Sequence, residues 1–401
     1  MKKKFLNKLK LVTYPLLLVL LLFLVGCNGE SDDLSSSEGD FTSLSDSDIP
    51  GSQQGSGDNS GKITAGEWND LNDWSFWTDI LESQDHSDKA AYWGFYTNNR
   101  ISVLVSKSNN PVINATVELK HNNILVWSAK TDNFGIAELW VGLFQKETSV
   151  SLDNFELYIN NEKQTVGLTF IGDGVVEVEI NSIQSHISNK VELAFIVDAT
   201  GSMGDELEFL KDDLKDVIER VENDNSALDI LTATVFYRDE GDSYLVKHSG
   251  FTNEINATLN FINKQSAGGG GDFPEAVHTA LNETLNELQW STNSKTRIAF
   301  LLLDAPPHYT AEIIDDLHSL IKKSANMGIK LIPITASGID KETEFLMRFF
   351  SVSTNGTYVF ITNDSGIGND HIEASVGAYQ VENLNDLIVH LINKYSVTVY
   401  M

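Results

Sequence analysis

The sequence predicts an α/β fold: a doubly wound, mostly parallel sheet preceded by a small all-β sandwich. Three observations carry this. After about Asn189, short and nearly continuous apolar segments alternate with amphipathic helical stretches, the pattern of parallel strands covered on both faces. Before that point, between about residues 98 and 183, apolar and polar residues alternate with period two, as in half-buried antiparallel strands. The chain is also 401 residues long, which leaves room for two or three domains rather than one core.

Residues 1–27 read as an export signal. Lys2, Lys3, Lys4, Lys8 and Lys10 form a basic start, Leu11 to Val25 an apolar run interrupted by Pro15, and Gly26-Cys27 closes it. The run is shorter than the roughly 20 residues a membrane span needs. The ending "LVGC" resembles the bacterial lipobox, which implies that the Cys27 thiol is diacylated and that Cys27 becomes the new N-terminus. It is the only cysteine, so the exported chain is expected to hold no disulfide. Asn28 stands where an aspartate often signals inner-membrane retention. The expected location is therefore the bacterial cell envelope, lipid-anchored, at the outer membrane or cell surface. Loss of the leader's five lysines takes the formal net charge from −29 to −34. A surface that acidic repels nucleic acid and favours cation capture.

Residues 28–62 are Ser, Gly and Asp with almost no large apolar groups. Such a composition cannot offset the entropy of ordering, and it predicts a flexible tether. Residues 63–185 are then read as a Trp-rich segment followed by the sandwich. Trp68, Trp74 and Trp77 open it, and core packing is the favoured reading of the cluster, with a glycan platform as the alternative. "RISVLVSKS", "ATVELKHNNILVWSAKT", "IAELWVGLF", "FELYINNEKQTVGLTFI" and "GVVEVEINSI" supply the alternating strands. The pair "NNPVINATVEL" (109–119) and "TDNFGIAEL" (131–139) resembles transthyretin-like or carboxypeptidase-regulatory sandwiches, which implies a structural or spacer role.

Residues 190–401 carry the doubly wound pattern. "VELAFIV", "LDILTATVFY", "RIAFLLL", "GIKLIPIT" and "GTYVFIT" are the expected strands, with helical stretches between most of them. In such folds ligands bind beyond the carboxyl ends of the strands. Two strands end there in aspartate, Asp198 and Asp304, and a third acid, Asp272, lies in "SAGGGGDFPEAV", where Pro274 is expected to open a helix. A phosphate loop would need a Lys after the glycines, and a dinucleotide fingerprint would need G-x-G-x-x-G, so no nucleotide is expected. An aspartyl nucleophile usually has a second acid two positions on, where Thr200 stands. One aspartate with hydroxyls at alternate positions, Asp198, Thr200 and Ser202, instead suits a hard divalent cation, with the distant carboxylates completing an oxygen shell.

"DATGSM" (198–203) matches the D-x-[ST]-x-S motif of von Willebrand factor A domains, the metal-ion-dependent adhesion site. "YRDEGD" (237–242), "GGGDFPEA" (269–276) and "LLDAPPHY" (302–309) are similar to blocks of one branch of that family. The resemblance implies that Asp198, Thr200, Ser202 and Asp304 bind Mg²⁺, or Mn²⁺ or Ca²⁺, and that the cation's open position takes a carboxylate from a partner protein. The family's second-loop threonine falls on Gly271, and Asp272 is the candidate replacement. Asp239 and Asp242 are candidate rim residues, with a solvated turn the favoured reading, and His308 is read as a rim or packing residue. The leading expectation is a non-catalytic, lipid-anchored binding module. The alternatives are a metal-assisted hydrolase at the same site and glycan binding by the sandwich.

Overall fold

The computed structural model describes residues 63–146, 150–181, 188–365 and 371–398. The leader with Cys27 and the Ser/Gly/Asp segment lie outside the described residues. No helix among the described residues is long and apolar enough to cross a membrane.

The first strand, β1 (Thr64–Trp68), belongs to the large sheet. It lies between two strands from the far end of the chain, so the segment assigned to the sandwich from residue 63 begins inside the α/β layer. Helices α1 (Trp74–Leu81) and α2 (Gln84–Trp93) follow. Ser83 caps α2 through the His86 amide, and Gly94 ends it in the left-handed conformation. Their tryptophans are spent on packing. Trp77 is fully buried, stacks on Phe345 and meets Phe349 edge-on, and Trp93 is buried as well. Of the cluster Trp68, Trp74 and Trp77, the first and last are buried, and Trp74 is half-buried against Trp140.

Strands β2 (Arg100–Lys107), β3 (Asn110–Pro111), β4 (Thr116–His121), β5 (Ile124–Lys130), β6 (Ile136–Trp140), β7 (Phe155–Ile159), β8 (Glu162–Lys163) and β9 (Val176–Glu179) build two four-stranded sheets. One holds β3, β2, β6 and β9, the other β5, β4, β7 and β8. The alternation expected from the sequence is visible in β9, where Val176 and Val178 are buried and Glu177 and Glu179 exposed. Asparagines at positive φ, including Asn122 and Asn123, make the tight turns.

From residue 190 the elements are β10 (Lys190–Asp198), α3 (Gly204–Asp224), β11 (Asp229–Tyr237), β12 (Val246–Thr252), α4 (Ile255–Ile262), α5 (Val277–Asn286), β13 (Thr296–Leu303), α6 (Ala311–Met327), β14 (Ile329–Thr335), α7 (Lys341–Ser353), β15 (Tyr358–Ile361), β16 (Val381–Asn383) and α8 (Leu384–Ser396). The sheet order is β12-β11-β10-β13-β14-β15-β1-β16. Strands β11, β10, β13, β14 and β15 run parallel, while β12 and β1 are antiparallel to their neighbours. Strands β10 and β13 are adjacent although three helices and two strands separate them in sequence. Their shared carboxyl end is the topological switch point, where the loops diverge and leave a crevice.

Two apolar cores cover the sheet. One packs α3 and α8 on one face, with Leu210, Val217, Leu387 and Ile392 buried. The other continues from the opposite face, with α5, α6 and α7, into the interior of the two small sheets. Polar contacts close the junction. Asn133 donates to the carbonyls of Lys394 and Val397 at the end of α8, at 2.9 and 2.8 Å, and the buried Lys330 ammonium meets Asp132 at 3.1 Å. The "TDNFG" turn is thus the seat on which the smaller sheets rest.

Candidate functional site

Every residue of β10 from Val191 to Asp198 is buried, because the strand lies at the middle of the sheet with helices on both faces. Its last residue carries a carboxyl group into the switch-point crevice with 0% exposure. The Asp198 Oδ1 atom accepts from the Thr200 amide at 2.8 Å and the Thr200 hydroxyl at 2.7 Å. The hydroxyl proton is therefore engaged, and its lone pairs stay available. The Asp198 Oδ2 atom and the Tyr237 hydroxyl are both buried, and the two groups interact: the hydroxyl lowers the Asp198 pKa although their geometry falls short of a well-formed hydrogen bond. Ser202 is exposed, in the short turn Gly201–Met203 that leads into α3.

Asp304 follows β13 directly and is buried at 6% exposure. Burial raises its pKa, and a hydrogen bond from the Ser202 hydroxyl opposes that rise. Ser202 and Asp304, 102 positions apart in sequence, are thereby linked. Thr200 and Ser202 each offer a proton to a carboxylate and lone pairs to whatever lies between.

The glycine loop closes over this arrangement. The Gly268 amide donates to the Ala199 carbonyl at 3.0 Å, and the Gly201 amide to the Gly269 carbonyl at 3.3 Å. Gly269 and Gly270 both have positive φ. A Cβ on Gly269 would collide with the Asp242 carboxylate, so only glycine lets the loop approach. Asp242 Oδ2 accepts from the Gly270 amide at 2.9 Å and the Asp239 amide at 3.2 Å. The turn expected to be solvated is instead a brace for the glycine loop. Asp239 is buried and its Oδ1 pairs with His308 Nε2 at 2.7 Å, which joins the "YRDEGD" and "LLDAPPHY" loops.

Asp272 is exposed and makes no hydrogen bond or ion pair among the described residues. Nothing in the geometry brings it to Asp198. Pro274 does not open the helix. The Glu275 amide donates to the Pro306 carbonyl at 2.9 Å, Glu275 forms a parallel bridge with Pro307, and α5 starts only at Val277. Glu275 is buried, with its Oε2 atom unpartnered. Burial and the like charges of Asp198, Asp239, Asp304 and Asp242 push its pKa up to about 9. Glu206, in the first turn of α3, is buried and raised to about 7, chiefly by burial and then by Asp304, Asp205 and Asp198. Asp198 itself is raised to about 7, with burial the largest cause and Thr200's two hydrogen bonds opposing it.

The sequence pattern missed Glu275 and Glu206. Glu206 has the spacing of a first-turn acid that complements the helix dipole, and Glu275 follows a proline in what reads as a helix start. Only the distance between loops identifies either.

Among the described residues no three His, Cys, Asp or Glu side chains converge closely enough to hold a metal ion by themselves. A cation at this rim would need the hydroxyls. The donor set fits one: neutral hydroxyl oxygens on Thr200 and Ser202, a buried carboxylate on Asp198 with no cationic partner among the described residues, and several acids whose ionisation a positive charge would favour.

Residues 192–366 match the family model of the von Willebrand factor A domain. Over 126 residues the chain is 36% identical to the ariadne-like RING finger protein R811 of Acanthamoeba polyphaga mimivirus, a match covering 31% of this chain and 12% of that protein. Over 135 residues it is 32% identical to alpha-protein kinase vwkA of Dictyostelium discoideum, covering 33% of this chain and 21% of that protein. The matches span less than a quarter of either relative's length. The crystal structure of the conserved hypothetical protein BatB from Bacteroides thetaiotaomicron superposes with a TM-score of 0.34 at 15% identity, over 52% of this chain and 98% of that one. The chain carries a von Willebrand factor A domain at residues 192–366.

Proposed function

We propose that this protein is a lipid-anchored cell-envelope binding module whose von Willebrand factor A domain holds a divalent cation of the Mg²⁺ class and, through it, an acidic group of a partner protein. The observation that carries this reading is the buried Asp198 carboxyl group, which faces no cationic side chain among the described residues and lies beside the Thr200 hydroxyl, whose proton is already committed to it. A buried carboxylate that has hydrogen-bond donors but no cationic partner is costly to ionise, and a cation removes that cost. Mg²⁺ prefers six oxygens at about 2.1 Å and keeps several of its waters, so one position stays exchangeable for a carboxylate. The rim around the site supports a protein partner. Phe273 and Tyr309 are exposed on the two loops beside it, and Tyr309 stacks on Tyr92 with ring centroids 3.8 Å apart. Exposed aromatics of this kind are enriched at interface centres.

The test is capture of partners from the native envelope by the full chain, with and without chelator, beside the Asp198→Ala variant. Both chelation and the substitution are expected to abolish the same captured species, and Mg²⁺ to restore it only to the wild type. Capture by Asp198→Ala at the wild-type level would sink the mechanism.

A further inference from the structure

At the opposite end of the sheet from Asp198, the amino ends of β13 and β14 meet the smaller sheets around an internal cavity. Its wall carries Lys130 at the end of β5, Lys295 and Arg297 where β13 begins, and Lys330 where β14 begins. The acids on the same wall are matched: Asp132 pairs with Lys330 at 3.1 Å, and Glu138 is held by Arg100 through bonds of 2.7 and 2.8 Å. Arg297 lies 3.8 Å from Glu192 and donates to the Ser291 carbonyl and Asn114, with N–H groups to spare. Lys130 and Lys295 have no acidic partner among the described residues, and Lys130 donates to the Thr116 hydroxyl at 3.1 Å. In a chain with 57 acidic against 28 basic residues, two unmatched ammonium groups at one junction are the exception. Burial lowers the pKa of both, and Arg297 lowers that of Lys130 further. The helix ends nearby account for Lys330, which donates to the Asn355 carbonyl just beyond α7. They do not account for Lys130, because the Ser324 and Ala325 carbonyls in the last turn of α6 accept from the Gly328 amide. A Cβ on Gly328 would stand 2.9 Å from the Lys130 Cβ, so this glycine is what lets the Lys130 stem pass the end of α6. Ser353, the last residue of α7, lines the same cavity at 1% exposure, and its hydroxyl has no hydrogen-bond partner among the described residues.

We infer that this cavity binds one small oxyanion of the phosphate class, held by Lys130, Lys295 and Arg297, with the Ser353 hydroxyl as a further donor. The space open to the centres of water-sized groups is about 30 Å³, against the roughly 10–15 Å³ that one water needs, so a single four-oxygen anion fits and a nucleotide does not. A dianion matches the two unmatched ammonium groups in charge, and its oxygens accept charge-assisted hydrogen bonds from several directions at once. Salt screens a partly buried site of this kind less than it screens surface charges. Lys130 comes from the smaller sheets and Lys295 and Arg297 from the large one, so the anion ties the two layers together at their junction. This site is independent of the cation reading above and lies at the other end of the strands.

The experiment is thermal melting of the full-length protein in chelator, titrated with inorganic phosphate and, in parallel, with chloride at equal ionic strength. Chelator keeps phosphate from being held through a metal at the far rim. Phosphate is expected to raise the melting temperature of the wild type to a plateau that chloride does not reproduce, since a ligand of the folded state stabilises it by mass action. Lys130→Met and Lys295→Met, which keep the stem and remove the charge, are each expected to weaken the phosphate response at least about tenfold in concentration. The exposed control Asp272→Asn should stay within about twofold. Without phosphate both methionine variants should melt at or above the wild type, because each removes an unmatched cation from the junction. Should Lys130→Met not fold, Lys295→Met carries the test, as its side chain is only partly buried. A wild-type response no larger than that to chloride would overturn the site, and so would an undiminished response in both methionine variants. Melting of both variants below the wild type without phosphate would also overturn it, by showing that the two lysines serve the fold alone.

Discussion

Asp198 carries the electrostatic cost of the site. It is fully buried, its ionised form is opposed by burial and by Asp304, and the two Thr200 hydrogen bonds offset only part of that. Its folded-state pKa of about 7 lies above the ordinary value of 3.8, so the native state holds the proton more tightly than the unfolded chain. The associated stability is present in full below about pH 4 and is lost as pH rises through about 7. Replacing the carboxylate by an amide of the same shape should therefore stabilise the cation-free protein in alkaline but not in acidic buffer. In chelator at pH 8.5, Asp198→Asn is expected to melt on the order of 2 °C or more above the wild type, while at pH 5 the two should nearly coincide. A thermal shift with Mg²⁺ should appear in the wild type alone. A variant that melts below the wild type at pH 8.5 would show that the carboxylate is held by favourable contacts rather than tolerated for function.

Among the elements, α6 has two duties. Its N-terminal end follows the Asp304 loop, and its middle docks the Trp-rich segment through His318. This side chain stacks on Phe144 with centroids 4.2 Å apart, meets Phe95 edge-on, and places Nε2 2.9 Å from the Trp93 carbonyl. Burial lowers the His318 pKa, against a smaller rise from the Trp93 carbonyl and Asp315. Protonation thus favours the unfolded chain: the stability is complete above about pH 6.5 and is lost as pH falls below it. The urea midpoint should drop between pH 7 and pH 5, and His318→Gln, which keeps an N–H for the Trp93 carbonyl, should flatten that drop. An unchanged pH profile in the variant would assign the acid sensitivity elsewhere, for example to His86, which burial also lowers.

The elements also explain which parts were legible in the sequence. Strands β10, β13 and β14 announce themselves because burial on both faces demands unbroken apolar runs. Asp198, Thr200, Ser202 and Asp304 were readable because strand ends fix where a side chain emerges. Strand β12 was not, since it is a sheet edge with exposed Lys247 and His248 and a mixed pattern. Strand β1 was hidden too: "TAGEW" is five residues long and sits next to a tryptophan cluster that reads as the start of another domain. The placement of Glu275 depends on a segment that stays extended beside Pro307 after Pro274 rather than becoming helix, a long-range pairing that local sequence does not encode.

At the scale of the whole molecule, the unit that folds should be larger than the family match. Strand β1 pairs with β15 through Ala65 to Trp68 and with β16 through Thr64 to Gly66, so the sheet is continuous only when the N-terminal segment is present. The same segment brings Asp70, whose carboxylate binds Arg348 through two bonds of 2.6 and 2.9 Å with both side chains fully buried. Removing it takes away both Asp70 and the Trp77 ring that lies over the guanidinium, and leaves Arg348 with the Ser375 carbonyl and the more distant Glu344; breaking a buried ion pair costs about 3–5 kcal/mol where the charge stays buried, and less as water reaches it. It also uncovers the edge of β15, four residues of unpaired backbone that can pair with another chain. A fragment of residues 190–401 is therefore expected to be insoluble or to unfold at a much lower denaturant concentration than residues 63–401. Supplying residues 63–185 as a separate chain should restore part of the loss by re-forming β1 between β15 and β16. Arg348→Met in the longer chain separates the two contributions, because it removes the buried charge while leaving the strand in place. Equal denaturant midpoints for 190–401 and 63–401 would mean that the von Willebrand factor A domain closes its own sheet and that β1 is only an accessory to it.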